Sequence, residues 1–299
     1  MRQSRVRIRP LDLILIALCI AAGVWFLFLL KERLHYEWNW GAIPRYLFRH
    51  DDERGWVPNL LVQGLLTTIR LSLWSIVLAT FIGTAMGLAR TSKLLFLRLL
   101  GQAYVIAIRN VPPLVLIFIF YFFFSEQIMT LLDVDGFIRS RSETTTSVLS
   151  WLCAPPATFT HFVSAVLTIA IYEGAYITEI VRSGVESVER GQWEAAWSLG
   201  LTPWQRMRAV ILPQAMRRII PPMAGQLIST IKDSAIVSVI SVQELTFQAM
   251  ELTAVTSQTG RASLIFEIWI TATAMYLLLT LTCSLIARQL EVRLNRHRA

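Results

Sequence analysis

Charged side chains inside long apolar runs are the residues of this 299-residue chain best suited to chemistry. Arg109 stands at the start of one run, while Glu173 and Glu179 lie within another, with Tyr176 between them. Charges in apolar segments are costly, and they commonly mark a polar pathway or a packed interior. A cation and an anion that meet there would suit a polar solute carrying both signs of charge. We therefore predict a substrate pathway lined by Arg109, Glu173, Tyr176 and Glu179.

These residues also have structural interpretations. Arg109 could lie at the level of the lipid headgroups, or it could pair with Glu173 and leave the region neutral. The adjacent residues Lys232 and Asp233, in a later apolar run, are more simply structural or gating residues. Which interpretation holds depends on which side chains the fold brings together.

Enzymatic motifs are absent from the sequence. The nucleotide-binding pattern G-x-x-x-x-G-K-[S/T], the zinc-protease pattern H-E-x-x-H and the nucleophile elbow G-x-S-x-G do not occur. The four histidines and three cysteines are scattered, without a CxxC pair or metal-ligand spacing. We expect a chain that is not an enzyme and that binds no cofactor or metal itself.

The composition indicates a membrane protein. Hydrophobic residues make up 55% of the chain, charged residues only 16%, and the mean hydropathy is +0.53, which is too apolar for a soluble domain. The net charge of +8 would suggest nucleic acid binding in a soluble protein. In a membrane protein an excess of cytoplasmic Lys and Arg explains it, so we expect the bilayer, and not nucleic acid, as the partner.

Six apolar segments come close to the length of about 20 residues that crosses a bilayer. They are 11–30, 60–88, 111–132, 159–181, 223–245 and 265–287. The first is longer than the core of a signal peptide and is followed by charged residues, so we expect a retained helix. The sequence thus predicts an all-α membrane protein, with an N-terminal anchor and external segment over 1–56 and a transmembrane domain over 57–299. External polar loops are expected before Pro156 and up to Arg261.

Two smaller patterns refine this prediction. Gly83 and Gly87 form a G-x-x-x-G within the second span, where a neighbouring helix could approach closely, although two small residues by chance are equally compatible. If the N-terminus is cytoplasmic, seventeen Lys and Arg residues fall in inside segments and eight in outside segments. This asymmetry places both termini in the cytoplasm.

The polar segment 186–222, on the same predicted side, contains two short helices. The first should cover 192–199 and stop at Gly200, which tolerates the left-handed backbone of a helix end. The second should begin with T-P-W-Q at 202–205, where the cap threonine, the proline at the first helical position and the returning glutamine form a start signal. Pro213 should end it.

This segment resembles the cytoplasmic signature of bacterial ABC importer permeases. The pattern E-A-A-x-x-x-G, followed after nine residues by a β-branched residue, one more position and L-P, is matched by Glu194, Ala195, Ala196, Gly200, Leu212 and Pro213. Val210 departs slightly, since isoleucine is more usual there. The segments R-N-V-P-P-L-V (109–115), Y-E-G-A-Y-I-T-E-I-V-R-S-G (172–184) and I-K-D-S-A-I-V-S-V-I (231–240) resemble the polar-amino-acid uptake branch of that family.

The resemblance implies a five-helix permease core in the bacterial inner membrane, and the predicted N-terminal helix is one addition outside that core. It also implies that the signature forms a coupling helix in a groove of a partner ATPase, which binds ATP and Mg, with Arg206 among the charges that fix its register. A periplasmic amino-acid-binding protein and a second permease copy, identical or related, would complete the importer. Because an amino acid carries both charges, we expect Arg109 to hold the substrate carboxylate and Glu173 to meet its ammonium group or a basic side chain, with Tyr176 beside them.

Two alternatives stay open. An ion-coupled secondary transporter would also be helical with charges in its spans, and it would work without an ATPase. The polar segment could instead lie on the membrane surface, with its tryptophans in the headgroup layer.

Overall fold

The computed structural model describes residues 10–34, 36, 38–258 and 264–296, whose regular structure is almost entirely helical. The predicted basic N-terminal stretch, the loop position Arg261 and the last three residues lie outside this description. The first helices are α1 (Pro10–Leu34), α2 (Pro44–Leu47), α3 (Leu60–Arg90), α4 (Leu95–Arg109), α5 (Pro113–Ile119), α6 (Glu126–Leu131) and α7 (Val134–Arg139). The later helices are α8 (Glu143–Leu152), α9 (Phe159–Glu186), α10 (Arg190–Ser198), α11 (Pro203–Arg206), α12 (Leu212–Asp233), α13 (Leu245–Gln258) and α14 (Ile265–Arg296).

Shorter elements connect these helices. Three 3₁₀ turns cover Trp40–Ala42, Pro156–Thr158 and Ser234–Ile240, and two π-helical turns cover Phe120–Ser125 and Met207–Ile211. Strands β1 (Phe48–Asp51) and β2 (Gly55–Pro58) pair antiparallel as a hairpin, with Arg49 opposite Val57. The expected outer segments before Trp56 and before Pro156 therefore contain regular structure.

Four stretches are long and apolar enough to cross a membrane: 60–90, 113–131, 156–186 and 265–289, with a shorter apolar stretch at 10–26 in α1. The prediction of an all-α membrane protein is confirmed. The fifth predicted span, 223–245, is wrong in its bounds, because α12 starts at Leu212, ends at Asp233 and continues as a 3₁₀ turn to Ile240. Apolar composition alone does not show where this helix begins, because its first turns are polar and only its later turns are apolar.

The predicted polar loop up to Arg261 is also wrong for most of its length, since it forms α13. Leu245, Ala249 and Leu252 are buried at helical spacing against the neighbouring helices. The carboxylate of Glu244 accepts hydrogen bonds from the backbone N–H groups of Thr246 (2.9 Å) and Phe247 (2.8 Å). It thereby satisfies amide donors that a helix start leaves unpaired.

Helices α3 and α9 form the centre of the bundle, and glycines let them touch. A Cβ added to Gly83 would lie 2.5 Å from the Cβ of Ile177, and one added to Gly87 would lie 2.7 Å from the Cβ of Val181. The close approach predicted from G-x-x-x-G is confirmed. Because both contacts advance by four residues together, the two helices run parallel, and their C-terminal ends share one side of the protein.

The segment before α2 is held by a buried acid on α14. The carboxylate of Glu267, which is fully buried, accepts hydrogen bonds from the Tyr36 hydroxyl and from the backbone N–H of Asn39, the latter at 2.6 Å. The rings of Tyr36 and Phe266 meet edge to face, with centroids 4.8 Å apart. These contacts attach the N-terminal part of the chain to the last helix of the bundle.

Candidate functional site

The polar segment after α9 folds as a helix, a tight turn and a second helix. Helix α10 ends at Ser198, and Gly200 follows with φ of +69° and no atom within 4 Å of an added Cβ. Glycine is thus required there for backbone conformation and not for space. At the start of α11, Thr202 Oγ1 accepts from the N–H of Gln205 (3.3 Å), and Gln205 Oε1 accepts from the N–H of Thr202 (2.9 Å). The predicted helix end and capping box are confirmed.

Pro213 does not end the second helix, contrary to the prediction. The chain runs from α11 through the π turn Met207–Ile211 into α12, whose first turn contains Pro213. A proline lacks the N–H donor and crowds the preceding turn of an α-helix. The wider π turn just before Pro213 changes the backbone hydrogen-bond pattern at the point where the proline lacks a donor and crowds its neighbours. The helix therefore continues past Pro213.

One face of the segment is exposed and partly apolar. Trp197, Leu199 and Trp204 are 71%, 77% and 69% exposed, and Glu194 and Ala195 are also exposed. Clustered exposed apolar side chains commonly mark a protein or membrane contact.

The opposite face is fixed to the bundle. Ala196 is only 2% exposed, and Ile211 is fully buried in the core cluster that contains Val181 and Val185 of α9. Arg218 Nη1 donates to the carbonyl oxygen of Ser187, at the end of α9. A displacement of the segment would therefore move both α9 and α12.

A buried charged site lies where α9 faces α12. Glu173 is fully buried, and its Oε2 accepts a hydrogen bond from the Gln226 side chain. Its Oε1 has no hydrogen-bond partner among the described residues. Thr230 and Asp233 lie within interaction range of the Glu173 carboxylate. One buried carboxylate oxygen is thus available for a donor that this part of the chain does not supply.

Arg109 contacts one of two neighbouring tyrosines on α9. Its guanidinium carbon lies 5.1 Å from the centre of the Tyr176 ring, within the range of a cation–π contact. The hydroxyl of Tyr176 is 3.2 Å from that of Tyr172, the residue before Glu173. Arg109 and Tyr176 therefore meet at the exposed end of α4, while in the described part of the chain no contact joins Arg109 to Glu173.

Glu179 is placed elsewhere. One of its oxygens pairs with Arg90 at the end of α3, and the other accepts from Arg182 Nε at 2.8 Å. Arg182 also pairs with Glu186. These ion pairs join the ends of α3 and α9 on the side of α10, about 9 Å along the helix from Glu173.

Sequence reasoning missed Gln226 and underweighted Asp233. Gln226, Thr230 and Asp233 recur at i, i+4 and i+7, so they share one face of α12. A polar stripe of this spacing in a segment that otherwise looks membrane-spanning was the signal that could have identified them.

Comparison with known proteins places this architecture in a family. The family model described as "Binding-protein-dependent transport system inner membrane component" matches residues 75–296. This chain belongs to that family. It is a permease, a transport component of the inner membrane, and the prediction that it is not an enzyme is confirmed.

Individual relatives agree with this assignment. The permease is 32% identical to the glutamine transport system permease protein GlnP of Escherichia coli (strain K12), covering 88% of this chain and 99% of the relative. It is 34% identical to the probable glutamine ABC transporter permease protein GlnP of Bacillus subtilis (strain 168), covering 78% and 93%. The crystal structure of an amino acid ABC transporter with histidines matches with a TM-score of 0.59 at 32% identity, covering 78% of this chain and 94% of that one.

Proposed function

We propose that this permease imports a polar amino acid, driven by ATP that a partner subunit binds with Mg and hydrolyses. A periplasmic binding protein delivers the amino acid, and two permease chains, identical or related, enclose the pathway. The observation that carries the proposal is the continuous connection from the exposed surface of α10 and α11 to the two helices that hold the buried charged site. A movement imposed on α11 would pass along the continuous helix into α12, and so to Gln226 and Asp233, without an intervening loop.

The segment 186–222 is the proposed seat for the ATPase. Its exposed tryptophans and leucine offer an apolar contact, while Glu194 and Arg206 offer charges that fix the register of docking. Ala195 is small enough for another protein to approach the α10 backbone closely. Gly200, Leu212 and Pro213 shape the turn and the entry into α12, so they set the angle at which the docked surface meets the bundle.

The proposed substrate site combines Arg109 and Tyr176, at the exposed end of α4, with Glu173, Gln226 and Asp233 between α9 and α12. An amino acid presents a carboxylate and an ammonium group, so it needs a cation and an anion close together. Arg109 is proposed to hold the carboxylate, and the free Oε1 of Glu173 accepts from the ammonium group. The names of the relatives, which include glutamine and amino acid transporters, support a substrate of this class.

The proposed orientation has both termini in the cytoplasm. The parallel course of α3 and α9 places Arg90 on the side of the basic segment 190–218, in agreement with the uneven distribution of Lys and Arg. The described residues between α1 and α2, together with the β-hairpin, then belong to the periplasmic side.

Substitutions at Gly200 test the coupling. Gly200→Val should strongly reduce ATP-driven uptake, because a β-branched residue rarely adopts positive φ. Gly200→Asn is the matched control and should retain most uptake, since asparagine tolerates that conformation. Uptake of radiolabelled amino acids into cells expressing the importer, with permease insertion checked by immunoblot, provides the measurement. Equal uptake by both variants, or normal uptake by Glu194→Lys, would contradict the assignment.

Glu173→Gln tests the substrate site. The change keeps the shape of the side chain and removes its negative charge, so uptake of arginine, which is cationic overall, should fall more than that of glutamate, which is anionic overall. Competition among arginine, glutamine and glutamate in the same assay measures this preference. An unchanged ratio of arginine uptake to glutamate uptake would remove Glu173 from the site.

A further inference from the structure

A second polar cavity, of about 240 Å³, lies at the opposite end of the bundle from α10. It is bordered by the first turns of α3 and α9, by the end of α8 and by the segment before α13. Its polar lining includes Gln63, Thr67, Arg70, His161, Gln243 and Gln248. His161 precedes Glu173 by twelve residues, which is about 18 Å along α9. This outer cavity is therefore separate from the buried charged site.

Arg70 supplies a cation whose side chain is fixed by hydrogen bonds that leave some of its N–H donors without a partner. Its Nη1 donates to the carbonyl oxygens of Ser150 (2.9 Å) and Cys153 (3.1 Å), and its Nε donates to that of Leu66 (3.2 Å). Its Nη2 has no hydrogen-bond partner in the described part of the chain. An arginine fixed in this way keeps two donors for a carboxylate.

Gln248 supplies an acceptor without a donor. This residue is 4% exposed, and its Oε1 is buried with no partner among the described residues. A Cβ on Gly64 would lie 2.9 Å from the Cγ of Gln248, so the glycine makes room for this side chain. An unpaired buried acceptor is costly, and an N–H group of a ligand would satisfy it.

We propose that the outer cavity is a first binding subsite for an amino acid on its way to the buried charged site. Arg70 receives the carboxylate, and Oε1 of Gln248 accepts from the ammonium group. The volume is below the ~300–1,000 Å³ of cavities for drug-sized ligands, in keeping with a molecule as small as an amino acid. The direction of travel rests on the proposed import function, whereas the binding itself does not.

Protection of a cysteine at the rim tests the subsite. Gln243→Cys, made in a Cys153→Ser background, is labelled on intact cells with a membrane-impermeant methanethiosulfonate, with L-glutamine, L-glutamate or L-arginine as the probe. At about ten times its dissociation constant, a bound amino acid should slow labelling roughly tenfold, because only the empty site reacts. Trp56→Cys on β2, 74% exposed and outside the cavity lining, should not be protected.

Further variants separate this subsite from the rest of the pathway. Arg70→Gln should abolish protection, and Gln248→Leu should weaken it in case Arg70→Gln does not insert. Glu173→Gln should keep protection, because it changes only the inner site. The proposed subsite is refuted if none of the three amino acids slows labelling at its solubility limit. It is also refuted if Arg70→Gln and Gln248→Leu leave protection intact, or if Glu173→Gln removes protection. Protection without any uptake would instead refute the import function alone.

Discussion

Replacing Gly83 with alanine should push α3 away from α9. The added Cβ would lie 2.5 Å from both Cβ and Cγ2 of Ile177 and 2.9 Å from the carbonyl oxygen of Gly174. Carbon atoms pack best at ~3.5–4.0 Å, so the helices must separate by roughly 1 Å. Overpacking of this kind costs about 1–3 kcal/mol, and the better helix propensity of alanine offsets about 0.5–1 kcal/mol. We expect a net destabilisation of roughly 1–2 kcal/mol.

Thermal unfolding of the purified permease in detergent measures this effect. A loss of 1 kcal/mol lowers Tm by about 2–4 °C in chains of 150–250 residues, so Gly83→Ala should unfold several degrees below the wild type. Gly23→Ala is the matched control, since no atom lies within 4 Å of its added Cβ on α1. Unchanged Tm in Gly83→Ala, or an equal loss in Gly23→Ala, would refute the close contact of α3 and α9.

Two further predictions concern ionisable groups. Burial, aided by the hydrogen bond to Glu267, raises the pKa of Tyr36 from 10.0 to about 12. The contribution of Tyr36 to stability is therefore complete below pH ~10 and is lost as the pH rises towards 12. The part of the tyrosinate absorbance that Tyr36→Phe lacks should titrate near pH 12, and a midpoint at 10 would contradict this. Glu179→Gln leaves the largely buried Arg90 without its ion pair, so it should lower stability by about 1–2 kcal/mol, a value between those of exposed and buried pairs. The side chain of Glu186 is 52% exposed, so Glu186→Gln should lower stability less in the same unfolding assay. Equal losses in the two variants would contradict the difference in burial.

Local signals in the sequence predicted local structure well. Gly200 and the cap at Thr202 are determined by the backbone conformation of two or three residues, so their spacing was sufficient to place the turn between α10 and α11. Pro213 was misjudged because a π turn has no compositional signature that would have shown how the helix continues past it. The fifth span failed for a related reason, since its apolar window crossed the end of α12.

The buried charged site could be predicted only in part. Glu173 and Tyr176 are three residues apart on one helix, so their shared face follows from helical geometry. Their neighbours Gln226 and Asp233 come from α12, and only the packing of two distant helices decides that they meet Glu173. Glu179 shows the opposite case: it lies in the same helix, but its direction and the position of Arg90 place it in an ion-pair cluster that the sequence alone does not reveal.

The uninterrupted helix from Pro203 to Asp233 has a mechanical consequence. One close contact with α9 lies at Ile219, where a Cβ on Gly184 would lie 2.4 Å from its Cγ1. From this contact to Pro203 is roughly 24 Å and to Asp233 roughly 21 Å, at 1.5 Å per residue. If this helix moved as one rigid body about that contact, its two ends would shift by similar amounts in opposite directions. In the proposed importer, a shift of the end that contacts the ATPase would then move the other end, beside Glu173, by a similar amount in the opposite direction. Spin labels at positions 204 and 233 should keep a constant separation during this movement.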